Sequence, residues 1–276
     1  MAQNEVGGHE AGFMATRRID TWWLGPVVVV VVFSAWLIYY AWAALTPHDF
    51  VTGPYLSPFY SPLLFEPPHA VEALAASSHH GLLGDWPAWW PALLPASPAL
   101  FIALFPGLFR FTCYYYRKAY YRAFVGMPPA CGVNAVPVRK YRGETGILIF
   151  QNLHRYALYF AILLLPFLYY DALMSFTHDG QLGIGVGSVI ILLNAIFLTG
   201  YTFGCHAWRH LIGGRLDCFS CGSGGRTRFQ LWKASTWFNG RHMEWAWVSL
   251  LWIAFADMYV RLVANGTIHD LNTWGF

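Results

Sequence analysis

The sequence predicts an all-α polytopic membrane protein, a bundle of five transmembrane helices, and three observations predict it. The chain has 276 residues, of which 57% are hydrophobic, 18% aromatic and only 11% charged, whereas soluble domains carry about 25% charged residues. Several apolar runs reach the roughly 20 residues a helix needs to cross the hydrocarbon core, and a targeting leader with one shorter apolar run accounts for too little of the chain. Lysine and arginine gather beside these runs in alternate connecting segments, the pattern that orients membrane helices in a lipid bilayer.

The first span reads Thr21–Leu45, TWWLGPVVVVVVFSAWLIYYAWAAL, and the second Ser97–Tyr116, interrupted by Pro106 and Arg110. Ile147–Leu173, Leu182–Gly204 and Met243–Val263 supply the other three. The segment Thr46–Ala96 contains Pro47, Pro54, Pro58, Pro62, Pro67 and Pro68, which argue against a long helix, while AVEALAASSHHGLL suits a short interfacial one. No internal repeat divides the chain, so residues 1–276 are expected to form a single membrane domain.

Arg17 and Arg18 precede the first span. Arg117, Lys118, Arg122, Arg139, Lys140 and Arg142 follow the second, and Arg209, Arg215, Arg226, Arg228, Lys233 and Arg241 follow the fourth. The remaining connections carry no Lys or Arg, and Arg261 is the one basic residue at an opposite helix end. The multi-pass chain is therefore expected to have its N-terminus in the cytoplasm and its C-terminus outside. A formal net charge of +3, spent on topology and not on a basic patch, gives no support to nucleic-acid binding.

Ionisable and soft groups in a span are costly and tend to mark a pathway or cofactor. Cys113 and Cys205 each lie four residues before an arginine at an inner helix end, His154 follows Gly146 by about two turns, and His242 opens the fifth span. Four helices thus offer one ligand each, within a depth of roughly 10 Å. Two thiolates and two imidazoles suit tetrahedral zinc, or a [2Fe-2S] cluster with thiolates on one iron and imidazoles on the other. The plain alternative is that the cysteines pack as small apolar residues and the histidines bond nearby carbonyls.

Three further readings stay open. His154 with His242 or His206 could ligate haem b. His206 or His210 with Cys218 and Cys221 could hold a metal through the C-x-x-C spacing, although the surrounding Gly213, Gly214, Gly222, Gly224 and Gly225 favour a loop that binds nothing. Cys131, in VGMPPACGVN, is a substitute ligand. Five cysteines, with those in basic loops facing a reducing cytoplasm, argue against a disulfide framework there. Tyr156, Arg209 and His210 border the same layer and are candidate donors to a quinone.

The stretches TCYYYRKAYYRAF, PPACGV, GETGILIFQNLHRYALY, GCHAWRHLIGGR and RHMEWAWVSL together resemble the cytochrome b-like membrane anchor of an actinobacterial-type succinate dehydrogenase, from about Phe109 to Val263. The resemblance implies a five-helix anchor in the bacterial plasma membrane, joined to a flavoprotein subunit and an iron-sulfur subunit in respiratory complex II. It also implies the branch with a membrane-embedded Rieske-type [2Fe-2S] cluster, delivering electrons to menaquinone or ubiquinone. Ligand roles pass to Cys113, His154, Cys205 and His242, with His206 and Cys131 as alternates. The paired C-x-H and C-x-x-H boxes of soluble Rieske domains are absent, so separate helices would have to build the site. A haem b-binding anchor of the same complex, and a non-redox transporter or scaffold, are the competing expectations.

Overall fold

Each apolar run contains a helix, but the second run breaks at Cys113 and not at the Pro106 and Arg110 that interrupt it in sequence. This computed structural model describes residues 12–135, 149, 152–214 and 218–275. Arg139, Lys140, Arg142 and Arg215, and the expected start of the third span at Ile147, lie outside the described residues.

Among the described residues four helices are long and apolar enough to cross a bilayer: α1 (Leu24–Leu45), α6 (His154–Met174), α7 (Val186–Phe203) and α10 (His242–Ala264). At 1.5 Å per residue these are about 27 to 35 Å long. The outward sides stay apolar, with Ile38 71% and Leu163 60% exposed, as lipid-facing surfaces require.

The expected second span is not continuous. The short helices α2 (Val71–Ala75) and α3 (Pro98–Ile102) are followed by α4 (Leu104–Thr112), and the chain then bends by 78° into α5 (Tyr114–Tyr120) and a single π turn, Tyr121–Val125. Thr112 turns its hydroxyl back onto the Leu108 carbonyl at 2.7 Å, a bond that bends helices, and Cys113 follows in extended conformation. In the described residues α6 begins at His154, with Asn152 and Leu153 before it in 3-10 geometry.

The basic connection after α7 is a helical hairpin where a loop was expected: α8 (His206–Gly213) and α9 (Gly225–Gly240). The Arg228 guanidinium donates to the Ile212 and Gly214 carbonyls, satisfying acceptors that the end of α8 leaves open. A side chain at Gly213 would meet the Trp232 ring at 2.5 Å, so the glycine lets the two helices close. Cys218 and Cys221 form a disulfide, with Cα atoms 5.5 Å apart, which corrects the expectation of free thiols in this connection. Gly224, at φ +82°, then turns the chain into the start of α9.

The proline-rich segment is a folded cap at the other end of the bundle, as its lack of long helices anticipates. The hairpin of β1 (Val51–Thr52) and β2 (Tyr55–Leu56) packs with Phe50, Phe59 and Tyr60 against Ala43 and Ala44 of α1. A second small hairpin, β3 (Thr177–His178) with β4 (Gln181–Leu182), joins α6 to α7.

At the centre, α7 contacts both α6 and α10. Gly200 makes the approach to α10 possible, since a Cβ there would lie 2.6 Å from the Trp245 ring. Gly200→Leu is expected to cost about 1–3 kcal/mol through overpacking, read as a lower unfolding temperature in detergent; an unchanged temperature would mean the α7–α10 contact can yield freely.

Candidate metal centre

The two breaks are geometrically alike. Cys113 links α4 to α5 at φ −63°, ψ 129°, and Cys205 links α7 to α8 at φ −64°, ψ 138°. Each residue's carbonyl accepts from the arginine four positions on, Arg117 at 2.9 Å and Arg209 at 3.1 Å. A cysteine therefore stands immediately before a helix at each break, and Cys205 Sγ accepts from the Ala207 N–H at 3.3 Å. Both cysteines are 2% exposed.

The histidines enter from helices that begin at this level. His154 Nε2 lies 3.0 Å from Cys205 Sγ, and His242 Nε2 lies 3.5 Å from Cys113 Sγ. Two ligands on one tetrahedral ion, at 2.3 Å for sulfur and 2.1 Å for nitrogen, stand about 3.6 Å apart. Each thiol–imidazole pair has near that spacing, while among the described residues no three His, Cys, Asp or Glu groups converge on a single ion position. The pairs join unlike types, one thiol with one imidazole.

Neighbouring residues fix the rings unequally. His154 has its Nδ1 2.8 Å from the Thr112 hydroxyl and its face stacked on Phe109, with centroids 4.8 Å apart and planes 2° apart. His242 stacks on Tyr201 at 5.1 Å and 14°, and its Nδ1 is buried with no hydrogen-bond partner. Tyr201 is itself 1% exposed, with a hydroxyl that has no partner.

All four residues line one cavity of about 640 Å³, whose rim includes Asn152, Arg155, His206, His210 and Asn239. Arg155 Nη2 and His210 Nδ1 are 2.7 Å apart there. The other candidates lie elsewhere. Tyr156 is 61% exposed on the flank of α6. Arg209 donates to the Thr236 hydroxyl and stacks on Trp232 at 4.5 Å. Cys131 is exposed, with its carbonyl accepting from Arg18 at 2.7 Å. Cys218 and Cys221 are joined to each other. Sequence reasoning missed Thr112 as the partner of His154 and Phe109 as the ring behind it; their position just before Cys113 becomes informative only once α4 is seen to end there.

The family model for the actinobacterial succinate dehydrogenase subunit SdhC matches residues 24–266. A chain of the Mycobacterium smegmatis Sdh1 complex in the apo form is 38% identical, covers 92% of each chain and superposes with a TM-score of 0.80. A comparison with curated proteins gave no match.

Proposed function

The chain belongs to the actinobacterial succinate dehydrogenase subunit SdhC family, and we propose that, as the membrane subunit of that complex, it holds a Rieske-type [2Fe-2S] cluster and passes electrons to quinone. The observation that carries this reading is the convergence of two buried cysteines, Cys113 and Cys205, and two histidines, His154 and His242, on one cavity. Two thiols and two imidazoles in two separate pairs fit a two-metal group better than a single zinc ion. A Rieske-type group takes both thiolates on one iron and both imidazoles on the other, so the mixed contacts here support the donor set and not that arrangement; the two buried thiols beside the imidazoles are donors that haem held by two histidines would not use.

Cys113, His154, Cys205 and His242 would hold the cluster between them. When bound, it supplies one-electron chemistry between the iron-sulfur partner subunit and quinone; the flavoprotein subunit oxidises succinate. The protein's own part is to orient the group. Thr112 fixes which His154 nitrogen faces inward, and Phe109 and Tyr201 hold the two ring planes.

Quinone reduction consumes two protons as well as two electrons, so a titratable donor must stand at the ring's carbonyls. Of Tyr156, Arg209 and His210, His210 is the one on the cavity rim, and its contact with Arg155 sets the orientation of its ring. The cavity opens at the end of the bundle where Arg117 and the α8–α9 hairpin lie, the side that the basic residues assign to the cytoplasm. That is the face a partner subunit delivering electrons would cover.

Thr112→Val keeps the volume and removes the bond to His154 Nδ1. Losing a partner of this kind typically costs 10–100-fold in metal affinity, so the variant complex should lose iron and acid-labile sulfide to a chelator at least ten times faster than wild type. Equal rates, or a wild-type complex with no more iron and sulfide than its partner subunits hold, would count against the assignment.

A further inference from the structure

Arg110 places a guanidinium among the apolar residues of the bundle. Among the described residues no Asp or Glu pairs with it; the described ion pairs involve Arg18, His79, His178 and Arg261. Its hydrogen bonds go to neutral acceptors: the Tyr116 hydroxyl, the Ala246 carbonyl at 3.3 Å and the Ser249 hydroxyl at 3.0 Å. It also lies over the Tyr201 ring, 4.7 Å from the centroid. Tyr201 is the ring on which His242 stacks. Arg110 belongs to the same last turn of α4 whose carbonyl accepts from the Cys113 N–H at 3.2 Å.

An uncompensated charge in a low-dielectric interior is costly and persists where an anion balances it. Given two thiolates and two neutral imidazoles, an oxidised [2Fe-2S] cluster is neutral overall and its one-electron reduced form carries one negative charge. A fixed cation one ring away favours the second state.

We propose that Arg110 is the positioning residue that sets the electron affinity of the centre: its guanidinium, held by Tyr116, Ser249 and the Ala246 carbonyl against the Tyr201 ring on which His242 stacks, stabilises the electron when it arrives. The reaction influenced is the addition of one electron, with no bond made or broken at Arg110 and no proton taken from it. This rests on the cluster reading above.

The test is a dithionite titration of the purified complex, followed by the electron spin resonance signal that depends on His154 and His242, in wild type, Arg110→Gln, Arg110→Met and Arg110→Lys. At a fixed potential the neutral variants should show at least a tenfold lower ratio of reduced to oxidised centre, which is about 59 mV for one electron. Arg110→Lys should stay much nearer to wild type. A neutral variant with normal iron and sulfide content and an unshifted titration would overturn the proposal, as would a lysine variant shifted as far as the glutamine one. Failure of both neutral variants to assemble would also overturn it, in favour of an arginine needed only for packing. Absence of the signal from wild type would instead refute the cluster reading, which separates the two failures.

Discussion

Replacing both His154 and His242 with alanine is expected to remove the centre from the membrane subunit and abolish quinone reduction, while succinate oxidation measured with a soluble dye continues. Both imidazoles reach the cavity from the first residue of a long helix, so their loss should spare the hydrogen bonding of α6 and α10. The four candidate ligands act as a unit, and removing two leaves the thiols without the ligand that accompanies each of them at 3.0 or 3.5 Å. Quinone reductase activity and dye-linked activity of the same preparation are the two readings to compare. Retention of quinone reduction in the double variant would show that electrons bypass this layer.

Arg261→Leu is expected to be the most damaging single substitution for stability. Arg261 is the exception to the basic-residue pattern, and the cap end explains why it is tolerated: its Nε lies 2.9 Å from Asp257 Oδ2 within α10. Its remaining nitrogens donate to the carbonyls of Ala43, Thr46 and His48 and to the Tyr60 hydroxyl. Asp257, fully buried, also accepts from Tyr39 at 2.6 Å and from Ser57. One ion pair therefore ties the otherwise lipid-facing α1, the proline-rich cap and α10 together. Removing one member of a buried pair costs about 3–5 kcal/mol because the other charge is stranded, whereas replacing both with apolar residues is often near neutral. Thermal unfolding in detergent should show a large loss for Arg261→Leu and partial recovery in Arg261→Leu with Asp257→Leu. Additive losses would mean that the hydrogen bonds to the α1 carbonyls, not the stranded carboxylate, dominate.

The helices were legible because burial in lipid leaves a long apolar run that no loop can imitate, and the shared level of Cys113, Cys205, His154 and His242 was legible because each stands near the basic end of its span, although the two cysteines sit in extended breaks and not within continuous helices. The repeated spacing from Cys113 to Arg117 and from Cys205 to Arg209 carried more information than its length suggests, since both mark a helix that stops and restarts at a cysteine. What the run of apolar residues could not convey was the break itself. It depends on Thr112 bonding back to Leu108 and on the extended backbone at each cysteine, which are local choices decided by packing. The α8–α9 hairpin was hidden for a related reason. Its helices are short and polar, and Arg228 closing the end of α8 is a contact between distant parts of the sequence. The C-x-x-C pair looked like the most conspicuous metal motif, yet its sulfurs bond each other and the four residues in the cavity come from four separate stretches.

The central claim is most directly tested by pulsed electron spin resonance on the reduced, purified complex. The account predicts a [2Fe-2S] signal coupled to two imidazole nitrogens, present in wild type and absent when His154 and His242 are alanine, against the unchanged signals of the partner subunits. A complex whose iron-sulfur signals show no imidazole coupling, or whose only histidine-dependent signature is a sharp b-type haem band, would contradict it.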